Sequence, residues 1–358
     1  MIGHAAHLRP LLELAPAFLG ALFGGFLFTL IGLPAPWISG GMLGAMMSAL
    51  VRPLPVMPDW LRDFALLLAG ATMGASVTPD TVALMSKAPL SFLVLGISIL
   101  ATVYFSSIWL SRFHGWNRED AILAAAPGAL SAVLSIGAAR GGDVVGIAVV
   151  QTMRLFVIVA LLPGVIGWLE GAGPAPIIGP PTMNEITLLL MLAGGFICSI
   201  VFGWMKLAAS TMLGAAIFGA VLHGAGWAHG QMPAPVAILG FVLIGVMIAT
   251  RTRGITWRAV GRYAAASVAS FVISVFVGAA GAFTAGLLVG VRPGAALLAF
   301  APGGVEAMTL LSISLAYDPI YVAAHHILRF MGIGFFIPIY FRFLDRSADK
   351  SPDGSDRL

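Results

Sequence analysis

Glu306 stands in an apolar run with no other charge, and its surroundings could give it work to do. An ionisable group inside a membrane is costly enough to need a partner or a water-filled cavity. The expected partners are His325, His326 and Arg329 in the following segment, whose i, i+3 and i+4 spacing would place them on one helix face. Such a face offers titratable imidazoles beside a fixed cation. It suits proton coupling through Glu306, His325 and His326, or solute binding through Glu306, His326 and Arg329. The plainer alternative is a Glu–Arg pair that stitches two segments together. An earlier part of the chain carries Ser131, Gln151 and Arg154 at the corresponding places.

These residues must be positioned by two breaks in otherwise apolar segments. Ala124-Ala-Ala-Pro-Gly-Ala-Leu-Ser-Ala-Val133 recurs as Ala299-Phe-Ala-Pro-Gly-Gly-Val-Glu-Ala-Met308, with Pro127 and Pro302 175 residues apart. The same offset pairs Asp143 with Asp318, Arg154 with Arg329 and Pro163 with Pro338. A helix broken by Pro-Gly in lipid must have its freed backbone groups met by protein or water, so such breaks mark cavities. Gly128, Gly303 and Gly304 are expected to supply unusual backbone angles or close approach. Beyond each break a half-helix starts, and its free N–H groups, flanked by Arg154 and Arg329, favour an anion. Gly40-x-x-x-Gly44, by contrast, reads as ordinary helix packing.

At 358 residues, 59% hydrophobic and 9% charged, the chain lacks the charge a water-facing surface needs. It is expected to be an all-α polytopic membrane protein. Its basic residues sit singly or in small groups at segment ends, as loop anchors rather than a nucleic-acid surface. The single Cys198 excludes an internal disulfide and a cysteine metal cluster. The first apolar stretch ends in Leu33-Pro-Ala-Pro36 and reads as a retained helix.

Apolar windows give six segments per half, near 11–33, 37–51, 60–78, 90–113, 119–140 and 144–169, then 185–205, 208–223, 234–250, 262–289, 294–315 and 319–341. The organisation expected is a first membrane repeat (1–169), a linker (170–184), a second repeat (185–344) and a disordered cytoplasmic tail (345–358). If all twelve segments cross, Lys and Arg divide 10 inside to 7 outside. If the two Pro-Gly segments are re-entrant, the division is 15 to 2, which the positive-inside rule prefers. The fold expected is therefore two inverted repeats, each five transmembrane helices plus one Pro-Gly re-entrant hairpin, with both termini cytoplasmic.

The duplicated Pro-Gly-[Ala/Gly]-x-[Ser/Glu]-Ala, the Asp about a dozen residues on and the Arg eleven after that resemble the AbrB-type duplicated membrane family over 11–341. Members of that family carry differing labels: ammonia monooxygenase, regulator of gene expression, or transporter. The second repeat keeps the family-like Pro302-Gly-Gly-Val-Glu306, whereas the first has Ala129 and Ser131. The layout is also similar to the two-hairpin carriers of citrate and glutamate.

Asp143 and Asp318 precede apolar helices and read as caps, Asp318-Pro319 being a cap followed by an N1 proline. The seven His form no metal-ligand set by spacing, no metal or other cofactor is expected, and no phosphate loop or nucleophile elbow is visible. The reading that results is a bacterial inner-membrane secondary transporter of a small anionic solute, not an enzyme. Its expected partners are membrane lipid, the solute and a coupling ion, proton or Na+. No direct nucleic-acid partner is expected, and a homo-oligomer stays open. A membrane-embedded regulator is the alternative reading, and an ammonia-oxidising enzyme the third.

Overall fold

The computed structural model describes residues 2–77, 79–128, 130–170, 182–205, 210–252 and 255–349. Ala129, the side chain of Ser131 and residues 171–181 of the linker lie outside the described residues. Among the described residues the secondary structure is fourteen α-helices with no strand. The first seven are α1 (Ile2–Leu30), α2 (Pro36–Val51), α3 (Asp59–Gly74), α4 (Pro79–His114), α5 (Arg118–Ala125), α6 (Leu130–Ala139) and α7 (Val144–Glu170). The second seven are α8 (Glu185–Trp204), α9 (Ser210–Gly224), α10 (Ala234–Thr250), α11 (Trp257–Val289), α12 (Pro293–Phe300), α13 (Val305–Ser314) and α14 (Pro319–Asp349).

Six of these contain stretches long and apolar enough to cross a membrane, in α1, α4, α7, α8, α11 and α14. Their outer faces carry exposed Phe23, Phe105, Phe196, Phe276 and Phe335, as lipid rather than water would require. The chain is a polytopic helical membrane protein. Helix starts follow local chemistry: Asn117 accepts from the Asp120 N–H at 2.7 Å, Asn184 from Thr187 at 2.8 Å, and Thr256 from Ala259 at 3.2 Å. α14 continues to Asp349, five residues into the stretch expected to be a disordered tail, because no Gly or Pro intervenes before Pro352.

The helices sort into two bundles. In one, α1–α3 pack with α8–α10; in the other, α4–α7 pack with α11–α14. The first bundle is held by close backbone approach. A Cβ on Gly24 or Gly44 of the α1–α2 pair would collide with the backbone oxygen of Gly40 or Gly20, so Gly40-x-x-x-Gly44 is a packing face. The bundles meet where α2, α3 and α10 touch α13 and where α2 touches α7.

Each broken segment is two short helices that turn back at the proline. At the α5–α6 mouth, Arg140 binds Glu119 at 2.6 Å and the Asp143 N–H donates to Asp120 at 3.0 Å. Tyr263, near the start of α11, donates to Asp143 there. The α12–α13 mouth is closed instead by the far end of α7. Glu170 accepts from Arg292 and from the Gly294 N–H, both at 2.7 Å, and Arg292 lies 4.7 Å over the Tyr317 ring. Thr81, near the start of α4, hydrogen-bonds Asp318 at this same end. Burial, and then the hydrogen bond to Glu170, push the Tyr317 phenol above its ordinary pKa, so it stays a donor. The two mouths therefore lie at opposite ends of α7.

Candidate functional site at the two helix breaks

Pro127 and Pro302 are buried, and each break strands carbonyls at the C-terminal end of the helix before it. Those carbonyls are met by side chains from α7 and α14. Arg154 donates to the carbonyls of Ala125 at 3.2 Å and Ala126 at 3.1 Å. Arg329 donates to Ala301 at 2.7 Å and Gly303 at 3.1 Å. Gln151 reaches the Leu123 carbonyl at 2.9 Å, and His326 reaches that of Leu298 at 2.9 Å. Residues 151 and 326, like 123 and 298, differ by 175, so the register of the sequence is kept in the hydrogen bonds.

This corrects one expectation. The two arginines were expected to flank the half-helices that start after the breaks, but three of their four hydrogen bonds go to the ends of α5 and α12 and the fourth, from Arg329, goes to Gly303 within the second break. A guanidinium donates only, and it goes where carbonyls have lost their donors and the helix dipole is negative. Arg154 and Arg329 are each 2% exposed, lie within electrostatic reach of one another, and have no carboxylate partner among the described residues. The Nε of Arg154 has no hydrogen-bond partner.

Glu306 is not their counter-ion. It pairs with Arg251 at 2.9 Å, the residue that ends α10 in the other bundle. His325, His326 and Arg329, its expected partners, all point elsewhere. Glu306 opens α13 and turns toward α10, a neighbour that periodicity along α14 could not reveal. The Arg251 side chain is 37% exposed and that of Glu306 15%, so the pair sits at a solvent-accessible edge of the bundle interface.

The three α14 residues do not act as one face. His326 accepts a hydrogen bond from Arg329 on Nδ1 while donating from Nε2 to the Leu298 carbonyl, which requires a neutral ring. His325, about 100° round the helix, donates from Nδ1 to the Tyr321 carbonyl at 2.8 Å and accepts from Ser91 of α4 at 2.7 Å. Ser91 in turn accepts from the Tyr321 hydroxyl at 2.7 Å, and Phe92 and Phe300 pack on the imidazole. His325 thus ties α14 to α4.

The tip glycines also divide. Gly128 has φ +101°, which only glycine adopts freely. Gly304 has φ −84°, and Gly303 does not have positive φ either. Unusual angles therefore do not explain the second tip. A Cβ at Gly303 would crowd Met308 Cγ at 2.7 Å, and one at Gly304 would lie 3.3 Å from Glu306 and 3.9 Å from Leu155 of α7. The second tip therefore rests against α7 beside Arg154.

Asp143 accepts from the Gly146 N–H at 3.0 Å, and Asp318 accepts from Ile320 and Tyr321, both at 2.9 Å. Both cap the helices that follow. Ser39 on α2, Thr152 on α7 and Thr309 on α13 are buried hydroxyls without partners, on helices that pack where the bundles meet. Sequence patterning gave no reason to single them out.

A family described as "Transition state regulatory protein AbrB" matches residues 37–345. A Bacillus subtilis (strain 168) protein named "Uncharacterized protein YhjN" is 25% identical over 360 residues, covering 92% of each chain. An Escherichia coli (strain K12) protein named "Putative regulator AbrB" is 27% identical over 160 residues, covering 43% of this chain and 44% of its own. The family match takes in both breaks, both arginines and the Arg251–Glu306 pair, and the chain belongs to the AbrB family of membrane proteins.

Proposed function

We propose that the protein is a secondary transporter of a small anionic solute, which binds beside Arg154 and Arg329, where both broken helix pairs pack on α7. The observation that carries this reading is the pair of buried arginines without carboxylate partners. A buried cation without a counter-ion is expensive even when carbonyls solvate it. A bound anion relieves that cost, and the free Nε of Arg154 is a donor ready for it. The unpartnered hydroxyls of Ser39, Thr152 and Thr309 offer a polar solute or its water further donors along the bundle interface.

In this reading the halves are inverted repeats and the two hairpins are re-entrant from opposite faces, which the opposite mouths of α5–α6 and α12–α13 support. Ten crossings then require α2, α3, α9 and α10, each 15–17 residues, to cross beside the six longer helices. Alternating access moves the α4–α7/α11–α14 bundle against the other, and the Arg251–Glu306 pair is one contact that must be remade. With the 15-to-2 charge division, the Arg251 end faces the cytoplasm of a bacterial inner membrane. The coupling ion is a proton or Na+, and Glu306, in the first turn of α13 at the second tip, is the acid assigned to it. The second reading, a membrane-embedded regulator, is favoured by the family's description and would use the same anion site as a sensor.

The test is a panel of small inorganic and carboxylic anions added to the purified protein, read by thermal unfolding. A ligand at a hundred times its Kd should stabilise the fold by about 2.7 kcal/mol. One class of anion should raise the unfolding temperature of the wild type and leave Arg154→Lys unmoved, since an ammonium does not reproduce the guanidinium fork. No response to any anion, or an equal response in the variant, would remove the reading.

A further inference from the structure

An open groove lies on the α4–α7/α11–α14 bundle. It runs between α4 and α14, floored by α5, with a volume of about 1030 Å³ and almost wholly apolar walls. At two helical positions on its walls, Gly96 of α4 and Gly332 of α14, an added Cβ would meet nothing within 4 Å, so the groove is open there. The stretch walled by α14, from Gly332 to Tyr340, rises about 12 Å, close to half of a hydrocarbon core of about 30 Å. Both walls are present over most of one leaflet, while the α4 wall alone, from Phe92 to Arg112, rises about 30 Å. The groove is apolar along that length and polar only at one end.

That end carries Arg112 and Arg118, both exposed and both lining the groove. Neither has a hydrogen-bond or ion-pair partner among the described residues. The nearest acid in sequence, Glu119, is held by Arg140. Ser107, Ser111 and Tyr340 add hydroxyls close to the same end. Two free guanidiniums at the mouth of a leaflet-deep apolar slot match one kind of molecule, a lipid with acyl chains and an anionic headgroup.

We propose that this groove is a specific site for an anionic phospholipid of the leaflet at the α4–α5 turn, with its phosphate between Arg112 and Arg118 and an acyl chain along Gly96 and Gly332. The inner end of the groove is formed by Ile122 and Ala126 of α5. Ala126 is also the residue whose carbonyl Arg154 holds, so the chain lies against the outside of the first helix break. The lipid packs the side of the first hairpin that faces away from the other bundle.

The test is native mass spectrometry of the purified full chain with phosphatidylglycerol and phosphatidylcholine in competition. Two basic residues, each worth about fivefold at an anionic lipid surface, should give a preference for phosphatidylglycerol of about thirtyfold. Arg112→Gln/Arg118→Gln should bring the two lipids close to parity while retaining one bound lipid of either kind. Gly332→Phe should fill the groove and exclude both, with Gly96→Phe as the replacement should that variant not fold. Unfolding curves matching the wild type in phosphatidylcholine would show the variants intact. No preference in the wild type, or one that survives the double Gln change, would overturn the assignment. A wild-type dimer that Gly332→Phe converts to monomer would overturn it as well, by showing a second copy in the groove.

Discussion

Arg329→Met should unfold the second tip, at a cost of about 2–6 kcal/mol, because two buried carbonyls lose their donor and each such loss costs about 1–3 kcal/mol. The change keeps an unbranched apolar stem and removes the fork. It also leaves Nδ1 of His326 without its hydrogen-bond donor. Arg329→Lys should recover only part of the loss, since a compact ammonium cannot span Ala301 and Gly303 as a planar guanidinium does. Arg154→Met should follow the same pattern more weakly, its contacts to Ala125 and Ala126 being 3.1–3.2 Å rather than 2.7 Å at the shortest. Chemical unfolding in detergent measures all three variants. An Arg329→Met protein as stable as the wild type would show that water or lipid heals the break, and that the arginine is not structural.

The Arg251–Glu306 pair should behave in the opposite way. Glu306→Gln leaves only the 37% exposed Arg251 unpaired, so it should change stability by no more than about 1 kcal/mol. Glu306→Gln should therefore express and fold normally, whereas Arg251→Gln, which leaves the less exposed carboxylate unpaired, should cost more. Uptake into proteoliposomes of the anion found by the stability panel should nevertheless be lost, because the pair joins the second tip to the bundle it moves against. Exchanging the charges, Glu306→Arg with Arg251→Glu, should restore part of the uptake if the pair acts as a contact between bundles. If Glu306 itself carries the proton, the exchange should restore none. Normal uptake in Glu306→Gln would remove this residue from the transport cycle.

Much of this site could be read in the residues. The unbroken offset of 175 marked Pro127 and Pro302 as equivalent, and the equivalent bonds Gln151 to Leu123 and His326 to Leu298 carry that register into three dimensions. The apolar windows matched the long helices, and Asp143 and Asp318 stand where a cap stands. What the sequence hid was tertiary. Helical periodicity reports neighbours on one helix, so it grouped His325 with His326 and Arg329, although the first faces α4 and the others face α12. It could not report that Glu306 meets Arg251 across a boundary between bundles, 55 residues away. Attention to the N–H groups beyond each break also hid the equal demand of the carbonyls before it, which is where the arginines went.

The account stands or falls on the two hairpins entering from opposite faces, and reporter fusions along the full chain test that directly. Fusions within 172–182 should report the periplasm, while fusions within 252–258 and after 345 should report the cytoplasm, matching the 15-to-2 division of Lys and Arg. A cytoplasmic report from 172–182 would mean that the first Pro-Gly segment crosses the membrane, would restore twelve crossings in place of the inverted repeat, and would contradict the alternating-access reading.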